Sequence, residues 1–182
     1  MRGETYPLNI TIGVFDGVHL GHQSLIKKIC TPPASHAASP IPTVVTFRQN
    51  PQKVLNPDGF AGSIIPLDEK LAILEALGVT LTVLIDFSVE FSKINGRDFI
   101  DLLLGSRPVN MIALGRNFRC GHGLDTGAVE IQQLAEARGV EVWIAPPIMD
   151  GGEPISSSRI RQALTEGRLA EAERLLGSPR QL

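Results

Sequence analysis

Two histidines three residues apart, His19 and His22, follow a run of apolar residues that closes with Phe15-Asp16-Gly17. At the start of a helix this spacing turns both imidazoles the same way. Gly21 between them lets a ligand approach the backbone, and the helix N-terminus adds amide donors and positive potential. Such features suit a triphosphate whose α-phosphorus gains charge as another phosphate attacks it. Two plainer readings compete: one histidine as a helix cap with the other a surface residue, or an H-x-x-H metal pair without a third ligand close by. A second cluster, Ile155-Ser156-Ser157-Ser158-Arg159-Ile160-Arg161, places three serines before an apolar-periodic helix. An N-cap accounts for one serine well and for three poorly. With Arg161 a turn into the helix, the segment offers hydroxyls, amides and a guanidinium to β- and γ-phosphates. Helical spacing separates Arg159 from Arg161 and assigns Arg159 to solvent. A third stretch, Gly115-Arg116-Asn117-Phe118-Arg119-Cys120-Gly121, carries little signal alone, with Phe118 either core or a platform for a flat ring. Neither G-x-x-x-x-G-K-[ST] nor G-x-G-x-x-G occurs.

The elements that must position these groups alternate along the chain. Apolar, β-branched runs predict strands at Leu8–Phe15, Thr43–Phe47, Leu81–Phe87, Val109–Leu114 and Val140–Ala145. Helices are predicted at Leu20–Cys30, with Leu25, Ile26 and Ile29 inward and Lys27 and Lys28 outward, and at Leu67–Leu77, closed by Gly78. Further helices are expected at Gly96–Leu104, capped by Asn95 with Asp98 reaching back, at Ala128–Arg138, stopped by Gly139, and at Arg159–Leu164 and Leu169–Leu176. Thr31–Pro42 reads as a Pro/Ser/Ala loop in which His36 is solvated, and Asp150-Gly151-Gly152 as a turn. Alternation of this kind predicts an α/β Rossmann-like fold: a doubly wound five-stranded parallel sheet with helices on both faces, as one domain over residues 1–182. Ligands of such sheets sit beyond the carboxyl ends of the strands, where His19, Arg48 and Gly115 fall.

Composition narrows the partners. The chain is 43% hydrophobic and 20% charged with a formal charge of −2, so it lacks the basic footprint of a nucleic-acid binder. Cys30 and Cys120 form no C-x-x-C pair and read as small apolar residues. The first residues lack a signal pattern, and the longest apolar runs, Leu102–Leu104 and Met111–Leu114, are far too short to span a bilayer. These features predict a cytoplasmic protein with no membrane partner.

The stretch FDGVHLGH resembles the H-x-G-H nucleotidyltransferases, and ISSSRIR resembles their C-terminal phosphate loop. Three more stretches are similar to the FMN adenylyltransferase module of the bifunctional bacterial FAD synthetases: Thr46-Phe47…Pro51…Val54-Leu55, Phe87-Ser88-Val89-Glu90-Phe91 with Phe99-Ile100, and Gly115–Gly121. Leu175-Leu176-Gly177-Ser178-Pro179 looks like the segment that closes that module. The resemblance implies transfer of AMP from ATP to FMN, giving FAD and pyrophosphate. It implies an ATP site at Gly13, Phe15, Asp16, Gly17, His19, Gly21, His22, Gly115, Ser156, Ser157, Ser158 and Arg161, in which His19 and His22 steady the transition state and Ser156, Ser157 and Arg161 hold the leaving group. An FMN side follows at Phe47, Arg48, Asn50, Pro51, Asn117, Phe118 and Arg119, and Mg2+ is expected on the ATP phosphates with no direct protein ligand.

This chain departs from the family pattern in places. The usual T-F-D-P-H-P reads Thr46-Phe47-Arg48-Gln49-Asn50-Pro51, and the usual F-R-F-G reads Phe118-Arg119-Cys120-Gly121. No riboflavin kinase region follows Leu182, so the expectation is that FMN comes from a separate kinase or another source. Two alternatives stay open at this level: adenylyl transfer to phosphopantetheine or nicotinamide mononucleotide, and a non-catalytic flavin- or nucleotide-binding module.

Overall fold

The structure is a computed structural model that describes residues 6–32 and 39–177. His36, the middle of the Thr31–Pro42 stretch and the closing Ser178-Pro179 lie outside the described residues. In chain order the sheet strands and their companions are β1 (Leu8–Ile12), α1 (Leu20–Cys30), β2 (Ile41–Phe47), α2 (Pro51–Leu55), α3 (Leu67–Ala76), β3 (Leu81–Ile85), α4 (Gly96–Ser106) and β4 (Val109–Gly115). They continue with β5 (Arg119–Cys120), β6 (Thr126–Gly127), α5 (Ala128–Glu136), β7 (Glu141–Ala145), β8 (Met149–Asp150), β9 (Glu153–Pro154), α6 (Ser157–Thr165) and α7 (Leu169–Leu176).

Five strands form one parallel sheet in the order β3-β2-β1-β4-β7, the doubly wound arrangement expected from the alternation. One face is covered by α1 and α3 through Leu25, Ile26, Ile29 and Leu74, the other by α4 and α5 through Phe99, Ile100, Ile131 and Ala135. The period of two along β1 divides the layers: Ile10 and Ile12 join the α4/α5 core, while Asn9 turns toward α1 and donates from Nδ2 to the Ile29 carbonyl at 3.2 Å. After β1 the chain winds outward to β2 and β3, and after β3 it returns to β4 on the other side of β1. The switch point therefore lies between β1 and β4, and the crevice beyond their carboxyl ends is where such a sheet takes a ligand.

Several boundaries move for identifiable reasons. The first strand stops at Ile12 because Phe15 and Val18 have φ of 52° and 41°, left-handed values that no extended strand accommodates. The third stops at Ile85, and Phe87 instead joins an edge-to-face series with Phe47, Phe91 and Phe99, with ring centroids 5.6, 5.6 and 6.0 Å apart. Helix α2 was not legible, being a single turn capped by Asn50, whose Oδ1 accepts from the Gln52 amide at 3.0 Å. Asn95 caps α4 by accepting from the Asp98 amide, and Asp98 reaches back to the Asn95 side chain rather than its backbone. Gly151 and Gly152, both at positive φ, close a β8–β9 hairpin where only a turn was expected. Among the described residues no helix is long and apolar enough to cross a membrane.

The loop after β4 is seated on the start of α4, where Asp125 Oδ1 accepts from the Gly96 amide at 2.9 Å. Gly121, at φ 85°, packs so closely there that a Cβ would stand 2.1 Å from the Gly96 nitrogen. Gly121→Ala is therefore expected to lower unfolding stability by at least about 2 kcal/mol in denaturant titration, from strain and displaced backbone together.

Candidate active site

The turn between β1 and α1 begins with Gly13, whose amide still donates to the Val45 carbonyl at 3.1 Å. A side chain at Gly13 would press on the Phe15 ring at 3.1 Å, so glycine here makes room for that ring. Phe15 is fully buried and lies 4.9 Å, centroid to centroid, from the His22 imidazole. His19 is the N-cap of α1, and its Nδ1 accepts from the His22 amide at 3.3 Å. That bond leaves the ring proton on Nε2. The two imidazoles stack with centroids 3.7 Å apart, side by side as their spacing predicts. Gly21 has a different purpose from the one expected: a Cβ there would meet the His19 ring at 3.1 Å, so the glycine admits an imidazole.

Burial disfavours charge on both rings. It lowers the His19 pKa to about 4, against a smaller opposing effect of a backbone hydrogen bond. His22 is held well below the usual histidine range by burial, assisted by His19 and Lys70. Its Nδ1 is buried without a hydrogen-bond partner among the described residues.

The serine–arginine segment comes to the same place. Ser156 caps α6 by accepting from the Arg159 amide at 3.2 Å, and Ser157 Oγ donates to the Asp16 carbonyl at 2.9 Å. Arg161 forms an ion pair with the Asp16 carboxylate and donates from Nε to the Gly62 carbonyl at 3.1 Å. The other Asp16 oxygen accepts from the Ile64 amide at 2.9 Å. The N-termini of α1 and α6, 11 and 9 residues long, thus meet across one buried carboxylate. Helix N-termini, neutral imidazoles and a guanidinium are donor types from which phosphate oxygens accept. Gly17, at φ 79°, admits Leu176 and Ile64 against the same turn, and Gln23 Nε2 fastens it to the end of α7 by donating to the Leu176 carbonyl at 2.9 Å.

Arg159 corrects the expectation of a solvent-facing side chain. At 16% side-chain exposure it is more enclosed than Arg161 at 24%, and it pairs with Asp150 at 2.6 Å and Glu171 at 3.0 Å. The β8–β9 hairpin carries Asp150 over α6, and α7 supplies Glu171; helical spacing within α6 reports neither. Ser158 is exposed, and no hydrogen bond joins its side chain to the other serines or to Arg161.

The remaining expected residues fall into two groups. Arg48 and Asn50 line a narrow cleft together with Val14, Asp16 and Lys70, next to the phosphate-type cluster. Arg48 is exposed and pairs with Asp86 at 2.6 Å, while Phe47 and Pro51 are half-buried beside it. Asn117, Phe118 and Arg119 lie in the turn at the end of β4. Asn117 is exposed, Phe118 packs against the α4/α5 core, and Arg119 donates from Nε to the Leu124 carbonyl at 2.7 Å. Among the described residues no hydrogen bond or ring pair joins the three to the histidines or Arg161. Gly115 ends β4 with open space where a side chain would be. A wider groove of about 640 Å³ beside Arg97, Glu130 and Arg138 shares no residue with these groups. Cys30 and Cys120 are partly buried thiols with raised pKa values, that of Cys120 to about 11, chiefly through burial. Among the described residues no three His, Cys, Asp or Glu side chains cluster as a metal site would require.

The sequence reading missed Lys70. It is 7% exposed on α3 and its Nζ donates to the Phe47 carbonyl at 2.9 Å and to the Val14 carbonyl and Thr46 Oγ1 at 3.3 Å each. Its spacing to Leu74, four residues on, places it on the buried stripe of α3, and a lysine on that stripe was the available signal.

A parallel sheet of this order, with paired imidazoles and a serine–arginine helix start beyond its strand ends, defines a doubly wound, Rossmann-like α/β protein. The FAD synthetase family model matches residues 2–159, and the chain belongs to that family. It is 33% identical over 171 residues to the bifunctional riboflavin kinase/FMN adenylyltransferase of Escherichia coli (strain K12), covering 93% of this chain and 54% of the relative. A FAD synthetase of Listeria monocytogenes is 29% identical over 171 residues, covering 93% and 68% of the two chains. A crystal structure described as a macrolide-efflux protein from Streptococcus pneumoniae superposes with a TM-score of 0.84 at 30% identity, covering 97% of this chain and 58% of that one. The chain spans about half the length of the bifunctional relatives it matches.

The histidine environment has a consequence for stability. An imidazole that protonates near 6.5 when unfolded and near about 4 when folded makes the native state bind fewer protons between those values. Stability is therefore expected to fall by about 2–3 kcal/mol as the pH drops through that window, read by denaturant unfolding. His19→Gln should flatten the slope.

Proposed function

We propose that this chain joins the adenylyl group of ATP to the phosphate of FMN, giving FAD and pyrophosphate. The observation that carries the reading is that the serine–arginine start of α6 is fastened to Asp16, in the turn that leads into the stacked imidazoles of α1, in a chain of the FAD synthetase family. An oxygen of the FMN phosphate attacks the α-phosphorus of ATP in line. The bond from that phosphorus to the bridging oxygen breaks, and pyrophosphate leaves with the electron pair. No side-chain nucleophile is needed, since positioning and charge stabilisation supply most of the acceleration in such transfers.

His19, with its proton on Nε2, donates toward the α-phosphate, and the stacked His22 shares that role. Ser156, Ser157 and the free end of the Arg161 guanidinium hold the departing pyrophosphate. Phe47, Arg48, Asn50 and Pro51 border the FMN phosphate and ring, with Asn117, Phe118 and Arg119 closing the flavin side from β4. The Phe47–Phe87–Phe91 series supports an aromatic occupant there. With no metal-ligating cluster among the described residues, magnesium would be held by the ATP phosphates themselves and would spread their charge. The partners are thus small molecules in the cytoplasm, with FMN supplied by a riboflavin kinase, an activity that the bifunctional relatives carry by name.

Purified chain given Mg-ATP with FMN, phosphopantetheine or nicotinamide mononucleotide in turn should form a dinucleotide product from FMN, detected as FAD by chromatography. Absence of FAD would overturn the proposal, and EDTA should abolish the product. His19→Ala is expected to lower kcat roughly 100-fold while changing FMN binding little. Arg161→Ala should raise the KM for ATP, and unchanged ATP kinetics would remove Arg161 from the leaving-group site.

A further inference from the structure

Lys70 is a buried cation with no ion pair among the described residues. Its three hydrogen-bond acceptors are two backbone carbonyls and a hydroxyl, all neutral. Hydrogen bonds of this kind satisfy the donors of an ammonium group without cancelling its charge, and an unpaired buried charge is costly. Burial lowers the Lys70 pKa from the usual lysine range and Asp16 opposes that, but both Asp16 oxygens are already engaged, by Ile64 and by Arg161. Around Asp16 there are then two buried or half-buried cations and one anion, a local excess of positive charge that a bound anion would balance.

The position of the excess is specific. Lys70 reaches the carbonyl of Val14 beyond β1 and that of Phe47 at the end of β2, so one side chain ties the histidine-bearing turn to the start of the Arg48–Pro51 segment. The cleft it lines is also lined by Val14 and Asp16 from the histidine-bearing turn and by Arg48 and Asn50 from the segment after β2. The cleft is narrow, about 30 Å³, so a group seated at its mouth touches both the ATP-side turn and the FMN-side segment, as the attacking phosphate has to do in the reaction proposed above. We infer that Lys70 is a positioning residue for the acceptor phosphate: its charge lies in the cleft at whose mouth that phosphate is held against ATP, and its hydrogen bonds set the separation of the Val14 turn and the end of β2. With its donors occupied, it acts on the phosphate through its field, which is little screened in so enclosed a place.

This inference rests on the FMN-adenylylating reading. Lys70→Gln and Lys70→Met, which remove the charge, are compared with Lys70→Arg, which keeps it, after thermal melting has shown which variants are folded. For each, the KM for FMN and for ATP is measured in FAD synthesis, together with the inhibition constant of riboflavin, which has the same ring system and no phosphate. The charge-free variants should raise the FMN KM about tenfold or more while riboflavin inhibition and the ATP KM stay within about twofold, with Lys70→Arg near wild type. Equal weakening of FMN and riboflavin would make Lys70 a shaper of the cleft only and overturn the inference. So would an unchanged FMN KM, or an arginine variant that behaves like the charge-free ones. A wild-type chain that makes no FAD would instead defeat the underlying reading.

Discussion

One buried carboxylate organises the functional end of this molecule. Asp16 is 5% exposed and joins three stretches far apart in the chain: its own turn after β1, the 62–65 segment before α3, and the first turn of α6. A carboxylate in such surroundings persists only if its oxygens are taken up by donors, and here an amide and a guanidinium do so. The geometry of the phosphate-type site follows from that requirement. Arg161 is aimed by Asp16, Ser157 is held by its carbonyl, and the helix that carries both is thereby oriented with its N-terminus toward α1.

The charge distribution has its own logic. Both imidazoles are held toward the neutral form by enclosure, while Lys70, whose charge acts on His22, and Arg161 on α6 are fixed by hydrogen bonds rather than left to swing. Donors that are already oriented cost little reorganisation when charge develops on a ligand, and this makes such arrangements effective in transfers between phosphates. The arginines outside the cluster show the contrast. Arg159 is absorbed in a network with Asp150 and Glu171, to which Arg168 and Arg174 add, and that network braces the β8–β9 hairpin against α6 and α7.

Legibility in the sequence followed the range of the interactions. Strand and helix periodicity, the Gly78 and Gly139 stops and the Asn95 cap are local signals, and the elements they mark lie where they predict to within a few residues. The histidine pair and the serine run were readable because a helix start fixes their directions. Arg159 was misjudged and Lys70 overlooked for one reason: the partners of each come from other elements, so the fate of the side chain depends on contacts that spacing does not record. Gly21 shows a subtler case: the body that a side chain there would meet is the neighbouring His19 ring, a contact that spacing along the chain does not record. The turn at Asn117–Arg119 lies at the expected strand end, yet Arg119 faces local backbone and Phe118 the α4/α5 core, which no strand-end rule anticipates.

Phe15 and Val18 hold left-handed backbone conformations although neither is glycine and both are wholly buried. Each such residue costs on the order of 1–3 kcal/mol and endures only while its surroundings leave it no alternative. The bend that presents the imidazoles is therefore a dependent part of the molecule: the sheet beneath it, α7 behind it and the 62–65 segment beside it must be assembled before it holds its shape. Partial loosening of any of those supports would disarm the histidines while most of the sheet stayed intact, so the chain's capacity for chemistry is more fragile than its architecture.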